Sequence, residues 1–276
     1  MRNSSQGNLP PVRRQLQRLD SLLAERGLFP SRSRAAAAVI AGDVHVGPGR
    51  RRAEKPGQLV GADVELDVTA PPPFVSRGGT KLDNALDATG LDVAGRHVLD
   101  VGASTGGFTD CLLQRGAAHV IALDVAYGEL AMTLRDDPRV TVVERVNARA
   151  LAASALPYRP DLLVADVSFI SLAKILPAVL ACTAERFDAL VMVKPQFEVG
   201  RGRVGKGGVV RDPALRREAI ATVADAARAE GAAVLGFASS RLPGPAGNRE
   251  TFAWLAEGGR AGALEDLAAA AREVEP

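Results

Sequence analysis

Short apolar runs alternate with amphipathic stretches through the last two thirds of the 276-residue chain. The amphipathic stretches, such as 107–115, 172–183 and 213–230, predict helices. The apolar runs predict strands at His97–Val101, Val120–Asp124, Val140–Val146, Asp161–Val167, Ala189–Lys194, Ala233–Ala238 and Thr251–Leu255. Apolar strands that alternate with helices are typical of α/β proteins with a doubly wound, mostly parallel sheet. Such a sheet binds ligands at the carboxyl ends of its strands.

Residues 16–70 have a different pattern, which predicts a small α+β module. Four leucines recur at helical spacing, Leu16, Leu19, Leu22 and Leu23, and predict a short helix that ends near Gly27. Ser31 suits the N-cap of a second helix that stops at Gly42. Alternating apolar residues at 44 and 46 and at 64, 66 and 68 predict strands, and Gly47–Gly49 predicts a turn.

The polar residues 1–15 predict a flexible tail. Pro71–Pro73 can continue neither a helix nor a strand ladder, so residues 71–76 predict a stiff linker. Residues 77–276 then form the larger α/β domain.

The net charge of +2 conceals an asymmetry between these two parts. Residues 1–62 contain eleven Lys/Arg and four Asp/Glu, a net charge of +7, and the rest of the chain carries −5. A basic module on an acidic domain indicates a polyanionic partner.

Two cysteines and three scattered histidines exclude a disulfide framework and predict no metal site. Cys111 and Cys182 fall inside predicted helices and are expected to be small core residues. Residues 1–11 lack the apolar region of a signal peptide, and no run approaches 18 apolar residues. We therefore expect a cytoplasmic protein.

A glycine-rich turn follows the first strand of the large domain, in Asp100–Phe108. Its glycines allow a ligand to approach the backbone, and Asp124, after the next strand, is placed to bind ribose hydroxyls. The spacing departs from the Gly-x-Gly-x-x-Gly of dinucleotide sites, and Asp100 would repel a pyrophosphate. The turn therefore favours S-adenosylmethionine over NAD, although a tight turn that binds no ligand has the same pattern.

Lysine is rare here beside arginine, and unlike arginine it can lose its proton. Lys194 and Asp166 end neighbouring predicted strands, Lys81 opens the helix before the first strand, and Glu250 follows a loop at 244–248. Each alone could be a surface charge, but strand ends converge on the ligand crevice.

The small module resembles the ribosomal S4-like RNA-binding domain over residues 16–70. The resemblance rests on Arg18-Leu19-Asp20, Gly27, Ser31-Arg32, Ile40–Val44 and Lys55-Pro56-Gly57. Arg32 and Arg34 in the first helical turn oppose the helix dipole unless an anion also lies there. The expected RNA-binding residues are Arg18, Arg32, Arg34, Arg50, Arg51, Arg52 and Lys55.

Five motifs together resemble the TlyA, or hemolysin A, family of ribosomal RNA 2′-O-methyltransferases. They are Ser76–Leu82, Asp100–Phe108, Asp166–Ser171, Val193–Glu198 and Pro243–Glu250. The resemblance implies an FtsJ-like catalytic domain whose Lys-Asp-Lys-Glu tetrad is Lys81, Asp166, Lys194 and Glu250. It implies methyl transfer from S-adenosylmethionine to a ribose 2′-hydroxyl, with cytidine of 16S ribosomal RNA, 23S ribosomal RNA or both as the target.

The expected cofactor contacts are Asp100, Gly102, Ala103, Ser104, Gly106, Gly107, Phe108, Asp124, Asn147 and Asp166. The expected partner is ribosomal RNA within ribosomal subunits, and we expect a monomer without metal or membrane association.

Other functions remain alternatives. Amine methylation is disfavoured because no Pro-Pro follows Asp166, and carbon-5 methylation would need a cysteine in the cleft. A non-catalytic ribosome assembly factor and a haemolysin stay open. Gly200–Gly207 misses the P-loop pattern, since Gly207 replaces its Ser/Thr, and residues 198–211 are interpreted as a basic, glycine-rich mobile lid that contacts RNA.

Overall fold

The computed structural model describes residues 16–29, 31–69 and 73–275. The chain divides into two compact units between Pro71 and Pro72. The predicted tail and most of the proline stretch lie outside the described residues, so those two expectations stay predictions.

Within residues 16–29 and 31–69, two helices and five short strands surround a small apolar core. Their bounds are β1 Leu16–Arg18, α1 Leu19–Glu25, α2 Arg32–Ala41, β2 Val44–Val46, β3 Arg51–Arg52, β4 Leu59–Gly61 and β5 Leu66–Val68. Strand β1 pairs with β4, and β2 lies between β3 and β5, all antiparallel. The predicted α+β module is confirmed.

The second helix follows its sequence signals closely. The Ser31 hydroxyl accepts a hydrogen bond from the Arg34 amide at 3.3 Å, and Gly42 ends the helix in the left-handed conformation. Two details were wrong: Leu16 lies in a strand rather than in the first helix, and Val64 precedes its strand. Strands β3 and β4 lacked an apolar alternation and were missed.

Within residues 73–275, seven strands form one sheet in the order β11-β12-β10-β9-β6-β7-β8. The strands are β6 His97–Val101, β7 His119–Leu123, β8 Val140–Val143, β9 Leu162–Ala165, β10 Asp188–Val193, β11 Ala233–Ser239 and β12 Thr251–Ala256. The helices are α3 Arg77–Thr89, α4 Gly107–Gln114, α5 Met132–Arg135, α6 Leu176–Leu180, α7 Pro195–Glu198, α8 Pro213–Ala229 and α9 Leu267–Val274. Only β12 runs antiparallel to its neighbours, β10 and β11. The predicted mostly parallel α/β fold is confirmed.

Helices cover both faces of this sheet. One apolar core packs against α6, α8 and α9, and the other packs against α3 and α4. Strands buried on both faces explain why their sequences are almost uniformly apolar. Cys111 and Cys182 are buried in these cores, as expected, although Cys182 lies just after α6.

Two predicted helices differ from the structure. Helix α3 begins at Arg77, so Lys81 lies in its second turn rather than at its start. The predicted helix over 172–183 is a 3₁₀ turn followed by the short helix α6, because Pro177 cannot donate the backbone hydrogen bond that a continuous helix requires.

Candidate active site

The glycine-rich turn connects the central strand β6 to helix α4. Gly102 has a φ of +86°, and a Cβ at this position would lie 2.4 Å from the carbonyl oxygen of Asp166. Gly106 is also left-handed, and it precedes the first residue of α4. Only glycine allows the turn to pass this close to the end of β9.

Asp100 lies inside β6 and is completely buried beneath this turn. Its Oδ2 accepts a hydrogen bond from the Thr109 hydroxyl at 2.7 Å, whereas Oδ1 is buried without a hydrogen-bond partner among the described residues. Burial raises the pKa of Asp100 to about 7, the Thr109 hydrogen bond opposes this, and the charge of Asp166 adds to it. An unpartnered carboxyl oxygen suits a polar or cationic ligand group.

Asp124 and Asn147 follow β7 and β8 on the same edge of the sheet. The Asp124 carboxylate accepts hydrogen bonds from the amides of Ser104 at 2.7 Å and Ala126 at 2.8 Å. Both residues line a cavity of about 460 Å³ with Gly102 and Asp166. The side-chain oxygen Oδ1 of Asn147 already accepts a hydrogen bond from the Arg149 amide at 3.0 Å, which limits its contribution to a ligand.

The sheet topology gathers three of the four tetrad candidates. Asp166 follows β9 and Lys194 follows its parallel neighbour β10, so both lie at the carboxyl edge. Glu250 precedes β12, which runs antiparallel to β10 and pairs Thr251 with Val193. An antiparallel strand therefore begins at the edge where the parallel strands end. The fourth candidate, Lys81, reaches this edge from α3.

Two ion pairs organise the four charges. The Lys81 ammonium contacts the Glu250 carboxylate, and both side chains are buried. The Lys194 ammonium contacts Asp166 Oδ1 and donates a hydrogen bond to the Ser168 hydroxyl at 3.0 Å. All four residues line one cavity of about 510 Å³, together with Gly102, Ser104 and Gly107 of the turn. The sequence-predicted tetrad and glycine turn are thus brought to one site.

The predicted cofactor residues fit a nucleoside that carries a cationic group. The two cavities share Gly102, Ser104, Asp166 and Ser168 in their linings, so they adjoin each other at the turn. Ala103, Gly107 and Phe108 line the first cavity, whereas Gly106 lines neither. Asp100 is buried under the turn and lines neither cavity, whereas the carboxylates of Asp124 and Asp166 line the second cavity and supply the acidic groups that suit a cationic ligand.

Sequence reasoning assigned no role to Ser168 and Phe169, which follow Asp166. Ser168 holds Lys194. Phe169 is 92% exposed, has a φ of +65° and lies with its ring centroid 5.4 Å from that of Phe197. Two features single out Phe169: its positive φ, which is unusual for a residue other than glycine, and its exposed ring at a cleft. Both belong to the folded structure, so the sequence alone could not show them.

The predicted lid, residues 198–211, is anchored at both ends. Val199 and Val210 are buried, and the Glu198 carboxylate accepts hydrogen bonds from the Ser171 hydroxyl at 2.6 Å and the Leu172 amide at 2.9 Å. Burial raises the pKa of Glu198, and these two hydrogen bonds oppose the increase. The segment between these anchors forms two 3₁₀ turns.

The basic residues of the small unit are exposed to differing extents. Arg18 and Arg32 both pair with the buried carboxylate of Asp20, at 2.8 and 3.1 Å. Hydrogen bonds from Arg18 lower the pKa of Asp20 well below its usual range, and Arg32 adds to this effect. Arg50 pairs with Asp67, and Arg52 donates to the Ala41 carbonyl at 3.1 Å. Arg34, Arg51 and Lys55 are exposed. The two Asp20 partners therefore hold the N-terminal ends of α1 and α2 together and leave about half of each guanidinium side chain accessible.

In the described residues, no group of three His, Cys, Asp or Glu side chains is arranged to hold a metal ion. None of the described helices is both long and apolar enough to span a membrane.

Comparison with known proteins assigns the family. Residues 74–257 match the FtsJ-like methyltransferase family. The chain is 51% identical over 240 residues to the 16S/23S rRNA (cytidine-2′-O)-methyltransferase TlyA of Mycobacterium tuberculosis, which covers 86% of this chain and 89% of that protein. It is 40% identical over 202 residues to Hemolysin A of Brachyspira hyodysenteriae, which covers 73% and 83%.

A solved structure from Streptococcus thermophilus, provisionally named a hemolysin, superposes with a TM-score of 0.70 at 35% identity. That match covers 95% of this chain and 96% of the other, so the likeness extends over both units. Together with the site at the carboxyl edge of the sheet, these matches show that the chain is an RNA methyltransferase that belongs to the TlyA family, with an FtsJ-like methyltransferase domain.

Proposed function

We propose that this enzyme transfers a methyl group from S-adenosylmethionine to a ribose 2′-hydroxyl of ribosomal RNA, with cytidine as the target nucleotide. The observation that carries the proposal is the single cavity that contains Lys81, Asp166, Lys194 and Glu250 beside the glycine turn. The mycobacterial relative, named as a cytidine-2′-O-methyltransferase of 16S and 23S rRNA, supports the choice of substrate.

Lys194 is the residue best placed to act on the ribose. Asp166 and Ser168 fix its ammonium from two sides, which directs its remaining hydrogen-bond capacity to the cavity. Bound S-adenosylmethionine supplies an electrophilic methyl group. Lys194 then orients the 2′-oxygen for in-line attack and stabilises the negative charge that develops as the hydroxyl gives its proton to the solvent.

The buried Lys81–Glu250 pair positions the other wall of the cavity. A buried ion pair is rigid because separating its charges in a poorly solvated site is costly. Asp124 and the turn residues Gly102 and Ser104 are proposed to hold the nucleoside part of the cofactor, and Asp100, buried beneath the turn, to attract its charged part. Phe169 is proposed to stack on an unpaired base near the target nucleotide.

We propose that residues 16–70 are an S4-like RNA-binding unit that binds phosphates through exposed Arg and Lys side chains. The test is transfer of tritium from labelled S-adenosylmethionine to purified ribosomal subunits, followed by mapping of 2′-O-methyl positions in 16S and 23S rRNA. The proposal predicts new 2′-O-methylcytidine that depends on the protein. No incorporation into subunits or free RNA would favour a non-catalytic assembly factor, and release of dye from liposomes would favour a haemolysin.

A further inference from the structure

A basic cavity of about 420 Å³, distinct from the two already described, lies beside the turn at residues 244–248 that leads to Glu250. Its lining residues, within the described part of the chain, include three arginines, Arg211, Arg216 and Arg249, and no Asp or Glu. Neither the tetrad nor the predicted RNA-binding residues of the small unit account for this cavity.

The 244–248 turn borders the catalytic cavity and the basic cavity. Pro245 lines the catalytic cavity, and the next two residues, Ala246 and Gly247, line the basic one. Consecutive Cα atoms are about 3.8 Å apart, so the basic cavity begins next to the catalytic cavity. An RNA strand with one ribose in the catalytic cavity therefore reaches the basic cavity when its backbone runs toward residues 246 and 247.

Asn248 joins the two segments that carry the exposed arginines. Its side chain is buried, and its Oδ1 accepts a hydrogen bond from the Val210 amide at 2.9 Å. Its Nδ2 donates to the Gly208 carbonyl at 2.8 Å. Since Asn248 adjoins Arg249 and Val210 adjoins Arg211, this amide fixes the distance between the two guanidinium-bearing backbones.

A second buried group strengthens the same junction. Arg216 is only 8% exposed, and it donates to the carbonyl oxygens of Val210 at 3.3 Å and Arg211 at 2.5 Å. Its other terminal nitrogen contacts the buried carboxylate of Glu275 at 2.5 Å. The same carboxylate oxygen lies 3.3 Å from Arg249. One carboxylate thus faces two arginines, and the more deeply buried arginine holds it at the shorter distance.

Arg211 and Arg249 consequently keep most of their charge available. The Arg249 side chain is 65% exposed and only shares Glu275. Arg211 is exposed and donates to the Lys206 carbonyl at 3.4 Å, the long end of hydrogen bonding. The neighbouring carboxylate of Asp212 is engaged as the cap of α8, where it accepts from the Ala214 amide at 2.8 Å. Two accessible guanidinium groups on fixed backbone segments beside a basic cavity are an arrangement that binds phosphate.

We propose that Arg211 and Arg249 bind a backbone phosphate of the RNA substrate next to the nucleotide in the catalytic cavity. The inference rests on the proposed function for the identity of the RNA. It assigns to the methyltransferase domain a phosphate site of its own, held in place by Asn248 and by the Arg216–Glu275 pair.

The test compares the full-length protein with its Arg211→Ala/Arg249→Ala variant in binding purified 16S and 23S rRNA over a series of KCl concentrations. Each lost phosphate contact lowers the slope of log affinity against log salt by about 0.7 on single-stranded RNA. We expect affinity to fall about 3- to 25-fold and the slope to fall by up to about 1.4.

The matched control is Arg139→Ala/Arg186→Ala, which removes two charges just before strands β8 and β10, at the opposite edge of the sheet. The control should retain the slope, and Arg211→Lys/Arg249→Lys should retain most of it. An unchanged slope in the alanine variant, an equal loss in the control, or an equal loss in the lysine variant would overturn the phosphate site. If the cavity binds inorganic phosphate but RNA affinity does not depend on Arg211 and Arg249, the assignment to an RNA phosphate is also overturned.

The two proposals can fail separately. RNA affinity is measured without turnover, so a wild-type protein that binds rRNA with the expected slope but transfers no methyl group contradicts only the proposed reaction. A wild-type protein that methylates rRNA while the alanine variant keeps its salt slope contradicts only the phosphate site.

Discussion

Lys81 and Glu250 are 169 residues apart in the chain and form a buried ion pair at the wall of the catalytic cavity. One residue comes from helix α3 and the other from the residue before β12. The pair therefore connects the two ends of the methyltransferase domain, and it has a structural contribution as well as a proposed catalytic one.

The two contributions can be separated by changing one partner or both. Glu250→Leu leaves a buried ammonium without its partner and should lower the free energy of unfolding by about 3–5 kcal/mol. Lys81→Met/Glu250→Leu removes both charges and should recover most of that loss in urea unfolding. Methyl transfer to rRNA should stay at least about 100-fold below wild type in the double variant. A stable double variant with near-normal transfer would show that the pair is purely structural.

Lys194 should be required for the reaction but not for cofactor binding. Lys194→Ala removes the group that Asp166 and Ser168 hold toward the cavity, and the rate should fall by about 10²–10⁴. Calorimetry should give a dissociation constant for S-adenosylmethionine close to that of wild type. Lys174→Ala, an exposed lysine on a 3₁₀ turn, is the matched control and should transfer methyl groups normally. Near-normal turnover by Lys194→Ala would refute its role.

Gly102→Ala should impair cofactor binding through a backbone clash. The new Cβ would lie 2.4 Å from the Asp166 carbonyl oxygen, so the turn or the end of β9 must move. We expect a loss of stability of about 1–3 kcal/mol and at least about tenfold weaker binding of S-adenosylmethionine, measured by urea unfolding and calorimetry. Gly95→Ala isolates the strain of positive φ, because Gly95 has a φ of +74° and an added Cβ would meet no atom within 4 Å. Equal effects of the two variants on cofactor affinity would contradict the clash.

Asp100 should make stability depend on pH. Its pKa is raised to about 7 in the folded protein, chiefly by burial, and it returns to its ordinary value on unfolding. The folded state therefore holds a proton that the unfolded state releases between about pH 4 and pH 7, and the stability contributed by protonated Asp100 is lost as the pH rises through this range. Asp100→Asn has no titrating group at this position. Its free energy of unfolding should therefore rise relative to that of wild type, by up to ~4 kcal/mol, as the pH increases from 4 to 8.

The measurement for Asp100 is urea unfolding of wild type and Asp100→Asn across that pH range, without cofactor. Titrating groups that do not interact with Asp100 contribute equally to both proteins, so the difference between the two curves reports Asp100 and the carboxylates coupled to it, Asp166 and Asp124. A difference that does not change with pH would mean that Asp100 is ionised in the folded protein throughout.

Much of the fold followed from local pattern. Strands buried on both faces need apolar residues throughout, so β6 was predicted with its observed bounds and the other strands of the large sheet to within a few residues. Helix α2 followed from its caps, Ser31 and Gly42. The short strands β3 and β4 had no such signal, because strands of two or three residues are held by pairing rather than by an apolar face.

The candidate site was predictable in its residue types and in its edge of the sheet. The glycine turn and the acids and lysines at strand ends indicated a ligand crevice, because parallel strands end together. Tertiary structure alone decided the pairing: Lys81 with Glu250, and Lys194 with Asp166. It also placed the exposed ring of Phe169 and the arginines at 211 and 249. The sequence determined by itself which residues could form elements and bear charge, since those properties depend on near neighbours. Which charges meet depends on strand order and on the reversed direction of β12, and these arise from contacts between residues far apart in the chain.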